Sequence, residues 1–204
     1  MVPATWSCKS RLYVATNQIL FLRMIFTAAP LQGAFVIRLE PFSDERGWFA
    51  RSYCKREFEE IGHNKEWVQL NHSVTYTKGT LRGMHFQHPP FREIKMVRCI
   101  AGGVYDVIVD IRAESPTFLQ WYGVELSAEN KQMLYIPEGF AHGFQTLEEN
   151  SALLYHHTEF YTPAAEGGFR YDDPALSIKW PLPVTVISER DAHHPLVDNQ
   201  FKGI

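Results

Sequence analysis

The chain has 204 residues, enough for one domain with a real core. Hydrophobic content of 45% and charged content of 21% are those of an ordinary soluble globular protein, which sets aside fibrous and disordered classes. A formal charge of -3 provides no broad basic field, which argues against nucleic acid as a partner.

In chain order, the first feature is an apolar stretch over residues 12–22, preceded by Lys9 and Arg11, that imitates a signal peptide. Asn17 and Gln18 interrupt it, Arg23 follows at once, and no small-residue cleavage site abuts it. It is also too short to span a membrane, so no membrane partner is expected. Met24 opens a segment that reads like an ordinary start. Residues 1–23 are therefore expected to be an extension outside the fold and poorly ordered, with 24–204 as one folded domain. Cys8, Cys54 and Cys99 are odd in number and far apart, which argues against a disulfide framework or a zinc knuckle. A reducing, cytoplasmic setting is the simpler reading.

A helix is predicted over 55–61, stopped by Gly62. Almost everything else reads as short strands broken by Gly, Pro and Asn. Residues 81–87 form one strand-like run and 95–100 another, and Ala101-Gly102-Gly103 reads as a compact hairpin into a strand over 104–111. In that last strand Tyr105, Val107, Val109 and Ile111 share one face, with Asp106, Ile108 and Asp110 on the other. Strand pattern continues at 133–136 and 152–161, and the Pro-rich part after Pro174 is expected to wrap the barrel with little regular structure. Closely spaced strands with turn signals between them indicate an all-β sandwich or barrel. Polar side chains within the strands favour a jelly roll holding a ligand cavity over an immunoglobulin-like sandwich.

His85, Lys95, His142 and Tyr155 stand where strands would otherwise carry apolar or exposed residues. Taken singly each has an ordinary explanation: a satisfied rim histidine, a solvated edge lysine, a core aromatic with a bonded hydroxyl. Their combination points to chemistry. Asp106 shares a face with Asp110, and both a cavity position and a solvated one fit it.

The motifs make the reading specific. Asp44-Glu45-Arg46-Gly47, Gln69-Leu70-Asn71-His72-Ser73 and Leu81-Arg82-Gly83-Met84-His85-Phe86-Gln87 come in succession. Tyr105-Asp106-Val107, Asp110-Ile111-Arg112, Ser115-Pro116-Thr117 and Leu126-Ser127-Ala128-Glu129-Asn130 follow. Then come Ile136-Pro137-Glu138-Gly139-Phe140-Ala141-His142-Gly143-Phe144, Trp180-Pro181 and Ser188-Glu189-Arg190-Asp191. In this order, over about residues 24–195, the chain resembles the dTDP-4-dehydrorhamnose 3,5-epimerases. The resemblance implies a cupin jelly roll, commonly a homodimer, that acts without metal or cofactor on a nucleotide-diphosphate 4-keto sugar in deoxysugar biosynthesis.

In such a sugar the C–H bonds at C3 and C5 are acidic because each adjoins the carbonyl. Inversion needs a base on one face, a proton donor on the other and positive charge at the enolate oxygen. By resemblance His85 is the base, Asp191 orients it, Lys95 supports charge on the enolate oxygen and Tyr155 is the opposite-face acid. Arg46 and Arg82 resemble diphosphate ligands, a role suited to the guanidinium fork. Gln69 and Asn71 resemble nucleoside contacts, and His142, Tyr161, Glu166 and Arg190 further substrate contacts. One position departs: members of the family carry a glutamate four residues after the glycine matched by Gly47, where this chain has Arg51. That departure makes the nucleotide less secure than the reaction.

Three alternatives stand beside this reading. A single-centre epimerase or ketoisomerase would reuse the same cavity, and the presence of both His85 and Tyr155 favours full acid–base epimerisation. A metal-dependent cupin would have to use His85, His88, Glu93 and His142, but the spacing of His85 and His88 puts them on opposite strand faces. A catalytically silent binder would lack His85, Asp191 or Tyr155, and all three are present.

Overall fold

The computed structural model describes residues 23–204. The expectations for residues 1–22 lie outside the described residues. Among those described, the strands are β1 (Met24–Ala28), β2 (Phe35–Leu39), β3 (Phe42–Asp44), β4 (Gly47–Phe49), β5 (Gln69–Thr75), β6 (Leu81–Gln87) and β7 (Lys95–Ala101). They continue with β8 (Gly103–Asp110), β9 (Trp121–Ser127), β10 (Gln132–Ile136), β11 (Phe140–Thr146), β12 (Ser151–His157) and β13 (Glu166–Gly168). Two short helices, α1 (Lys55–Glu59) and α2 (Glu189–Ala192), complete the regular structure with one 3-10 turn at Pro163–Ala165.

The strands form a jelly-roll barrel of two facing sheets. One sheet runs β1-β2-β10-β7-β12-β5 and the other β13-β6-β11-β8-β9, with β3-β4 as a separate hairpin. Between the sheets lies a core that includes Val97, Cys99, Val104, Ile108, Leu134, Phe144 and Leu153. The outer face of the larger sheet is covered by α1, whose Phe58 is fully buried among Ile37, Met96 and Met133. The outer face of the smaller sheet is covered by the C-terminal segment through Leu176, Ile178, Trp180 and Phe201. A large apolar side chain buried this completely contributes roughly 1.5–3 kcal/mol.

The alternation predicted for β8 holds, yet both faces are buried, with only Tyr105 of the strand partly exposed. Val107 and Val109 pack under the C-terminal segment while Ile108 enters the inter-sheet core. Asp106 and Asp110 are both fully buried, so of the two readings left open for Asp106 the solvated one is removed. The 104–111 prediction is shifted by one residue.

Two local expectations change. Ala101-Gly102-Gly103 is not a hairpin, because β7 pairs with β10 and β12 whereas β8 pairs with β11 and β9. The turn carries the chain from one sheet to the other, with Gly102 at φ +65 where a Cβ would meet Ser151 Oγ at 2.6 Å. A tight connection is compatible with pairing or with a sheet change, and strands buried on both faces need neighbours that sequence-local turns do not supply. The strand expected over 152–161 ends at His157, after which the chain leaves the sheet.

The helix at 55–61 closes where Gly62 requires. Gly62 has φ +85, its N–H reaches Glu59 O at 3.0 Å, and the His63 N–H reaches Phe58 O at 3.1 Å. This pair of bonds is the Schellman C-cap, and it accounts for regular helix ending at Glu59. The C-terminal part is largely irregular as expected, apart from α2, which the sequence reading did not anticipate. Ser188 caps it by accepting the Asp191 N–H.

Candidate active site

A cavity of about 310 Å³ opens between the sheets. From the larger sheet it is lined by Gln69, Asn71 and Ser73 on β5, Lys95 on β7, and Tyr155 and His157 on β12. From the smaller it is lined by Arg82, His85 and Gln87 on β6, His142 and Phe144 on β11, and Glu166 on β13. His72, Phe86, Glu93, Tyr161 and Arg190 complete the lining. Residues i and i+2 of a strand share a face. Tyr155 with His157, His85 with Gln87, and Gln69 with Asn71 and Ser73 therefore enter together.

Asp191 is 2% exposed and stands behind His85, its Oδ1 2.9 Å from His85 Nε2. Its Oδ2 accepts the Gly83 N–H at 3.0 Å. Burial alone would raise this carboxyl, but the hydrogen bond and charge of His85, the Gly83 N–H and Ser188 hold it well below the usual carboxylate range. A proton on Nε2 donated to Asp191 fixes the His85 tautomer and leaves the other ring nitrogen to accept a proton. This geometry depends on Gly83, whose φ is +120 and whose added Cβ would lie 2.5 Å from Gly143 Cα. A register irregularity between His142 and Phe144 marks the same crossing of β6 and β11.

On the opposite wall the Tyr155 hydroxyl lies 3.2 Å from Ser73 Oγ, and burial pushes it well above the usual phenol range. Burial outweighs the lowering by the Ser73 hydrogen bond and the Arg82 charge, so the side chain stays a protonated phenol with a proton to give. Lys95 Nζ is 3.0 Å from Glu93 Oε1, and His142 Nε2 is 2.9 Å from Asp106 Oδ1. At the rim the Arg190 guanidinium donates to Glu166 Oε1 at 2.9 Å and to Asp191 Oδ1 at 3.2 Å, and the Tyr161 hydroxyl donates to Glu166 Oε2 at 2.8 Å.

Of the residues given a catalytic or binding role from the sequence, Arg46 alone is not gathered here. It sits on the β3–β4 turn, where it bonds Asp44, and does not line this chain's cavity. Arg51 donates to Glu57 Oε1 at 2.5 Å and is likewise outside the cavity lining. Sequence reasoning missed His157, carried Ser73 only within a motif, and saw Glu93 only as a discarded metal ligand. The signal for His157 was its i+2 spacing from Tyr155. His194 was also missed: its Nε2 is buried without a hydrogen-bond partner, 3.8 Å from Asp191 Oδ1.

Among the described residues, one group brings metal-ligating atoms within 4.8 Å of one another, His85, Asp191 and His194. Arg190 Nη2 lies 3.2 Å from His85 Nε2, so a cation there would meet a guanidinium. The set His85, His88, Glu93 and His142 does not assemble: His88 is exposed beyond the end of β6, and Glu93 is engaged by Lys95 and His157. Cys54 and Cys99 are free, and burial pushes the Cys99 thiol up to about 11, which leaves it unreactive.

Residues 28–199 match the family model described as dTDP-4-dehydrorhamnose 3,5-epimerase. The enzyme of that name from Salmonella typhimurium is 52% identical, over 80% of this chain and 91% of its own length. The crystal structure of a dTDP-6-deoxy-D-glucose-3,5-epimerase from Legionella pneumophila in complex with dTDP-4-keto-L-rhamnose superposes with a TM-score of 0.81 at 41% identity, covering 85% of this chain and 93% of that one. A 3'-monoepimerase from Streptomyces bikiniensis in complex with dTDP-quinovose is more distant, at 32% identity and a TM-score of 0.77 over 82% of this chain and 85% of that one. With this fold and this cavity, the chain belongs to the dTDP-4-dehydrorhamnose 3,5-epimerase family of isomerases.

Proposed function

We propose that the protein inverts C3 and C5 of a dTDP-linked 4-keto-6-deoxy sugar, of the dTDP-4-dehydro-6-deoxyglucose to dTDP-4-dehydrorhamnose type, by proton abstraction beside the keto group. The observation that carries this is the placement of the His85–Asp191 pair and Tyr155 on opposite sheets facing one cavity. His85 removes the proton, and the buried Asp191 carboxylate stabilises the resulting imidazolium. Lys95 places positive charge where the enolate oxygen develops. Tyr155 returns a proton to the other face. Its raised pKa is no obstacle, because the acceptor is a strongly basic carbon.

His142, buried and backed by Asp106, contacts the sugar from the base's wall. Arg82 takes the diphosphate, Gln69 and Asn71 the nucleoside, and Tyr161, Glu166 and Arg190 close the rim. Arg46 reaches a substrate only from a second copy, in keeping with a homodimer. The outer strand β5 supports such a dimer, since Leu70 is 63% and Tyr76, just beyond it, 74% exposed at an unpaired sheet edge. Arg51, tied to Glu57, offers no acceptor to a nucleoside, so thymidine is the part of the substrate to test first. No helix of the described residues is long and apolar enough to cross a membrane, and a cytoplasmic location is proposed. Residues 24–204 are proposed to act as one domain and 1–23 to have no part in the reaction.

The test supplies dTDP-, UDP- and GDP-linked 4-keto-6-deoxy sugars in deuterated water and follows C3 and C5 by NMR. Deuterium entry with inversion at both carbons of the dTDP sugar is the expected result. Exchange and inversion at one carbon alone would instead indicate a monoepimerase.

A further inference from the structure

Glu93 is 9% exposed and has both carboxylate oxygens engaged by cavity residues. Lys95 Nζ lies 3.0 Å from Oε1, and His157 Nδ1 lies 2.7 Å from Oε2. Lys95 and His157 are direct partners in the β7–β12 ladder, so their side chains leave the sheet side by side. Glu93 stands just ahead of β7, where the Ile94 N–H donates to Thr158 Oγ1 at 2.8 Å and the Thr158 N–H to Ile94 O at 3.1 Å. The backbone beside Glu93 is thereby pinned to the chain beside His157. The far side of the imidazole is held as well, with His157 Nε2 3.3 Å from Asn71 Nδ2.

A carboxylate bound at one oxygen can swing about its last bonds, whereas one bound at both is fixed in its plane. Lysine is a point charge on a flexible four-carbon stem, so its effect on a developing enolate depends on what fixes the ammonium. We propose that Glu93 is a positioning residue for the reaction, held through His157 and acting through Lys95, whose ammonium it aims into the cavity. The arrangement leaves the ammonium two further donors. Burial raises the Glu93 carboxyl, but the charge of Lys95 and the hydrogen bond from His157 outweigh it and keep the group ionised. A buried lysine without such a counter-ion would lose charge or turn away. Glu93 and His157 thus form one of three His–carboxylate pairs in the site, beside His85–Asp191 and His142–Asp106.

The inference rests on the role proposed above for Lys95, and a double-mutant cycle separates the two. E93Q, K95M and the double variant are compared by kcat, KM and C–H exchange in deuterated water, with thermal melting as a check on the fold. Expected are a kcat loss of about tenfold or more for E93Q at nearly unchanged KM, and a double variant no slower than K95M, as for residues acting as one unit. Multiplicative losses would overturn the proposal, since Glu93 would then act independently of Lys95. So would E93Q at the wild-type rate beside an impaired K95M. K95M exchanging at the wild-type rate would overturn the Lys95 role itself, and this proposal with it. If E93Q fails to fold, E93D keeps the charge on a shorter arm and is expected to lower kcat without raising KM. Wild-type kcat in E93D would contradict the aiming role.

Discussion

Asp191, from a four-residue helix near the end of the chain, places Oδ1 2.9 Å from Nε2 of His85, 106 residues earlier in sequence. The Gly83 N–H holds the other oxygen, so the carboxylate is oriented from two sides. Asp191→Asn keeps this shape and removes the charge that favours imidazolium. Expected is a fall in kcat of about 10²–10⁴-fold with KM little changed, the range typical of general acid–base groups. Steady-state kinetics with a coupled reductase check it, and a variant within twofold of wild type would contradict the role.

Tyr155→Phe should separate the two proton transfers. Abstraction by His85 remains possible while delivery to the opposite face fails. Reprotonation from the original side then washes deuterium in with configuration retained, which NMR of the recovered sugar distinguishes from inversion. Inversion at wild-type rate would assign the donor to another group.

Two sets of groups shape stability against pH. The Asp191 and Glu93 carboxyls are held below their ordinary values in the fold. Their contribution is present above the unfolded pKa of about 4 and is lost as pH falls through the lower folded values. His63 and His156 are shifted down by burial, with Nε2 of His63 and Nδ1 of His156 lacking hydrogen-bond partners. The unfolded imidazoles take up protons near pH 6.5 and the folded ones only at lower pH, so stability declines as pH drops below about 6.5. Melting curves from pH 8 to 5 should show that decline, and His156→Phe should flatten it.

Gly83→Ala tests the crossing of β6 and β11. Positive φ and a Cβ at 2.5 Å from Gly143 Cα give relief on neither side. A loss of about 2–3 kcal/mol in urea unfolding is expected, with activity lost beyond what unfolding explains because the Gly83–Asp191 bond shifts.

Much of this site was legible in the sequence because strand period alone puts alternate residues on one face. His85, His142 and Tyr155 could be picked out for being polar within strand-like runs, and Gly62 for ending a helix. Pairing between distant strands was not legible. The turn at Ala101-Gly102-Gly103 reads the same whether its strands pair or part, and only the neighbours contributed by β10, β11 and β12 decide. His157 and Glu93 are ordinary residues until the ladder sets His157 beside Lys95. Asp106 looked like either a solvated or a cavity residue until the facing sheet enclosed its side of β8, where it backs His142. Arg46 carried the family's motif without the position, since its hairpin does not reach the cavity of its own chain.

A chelator should leave the rate unchanged. The guanidinium of Arg190 stands against the one His–Asp–His group of the described residues that could hold a metal. Activity lost on dialysis against EDTA and regained with iron, manganese or zinc would contradict this.

In the proposed reaction His85 takes the first proton, and deuterium exchange by His85→Ala tests this step head-on. The variant, checked for native melting, is incubated with dTDP-4-dehydro-6-deoxyglucose in deuterated water, and signals at C3 and C5 are followed by NMR. With the base removed, both exchange and inversion should fall to background at both carbons. Near-normal exchange at either carbon would mean that another group removes that proton, and the assignment of His85 as the base would be wrong.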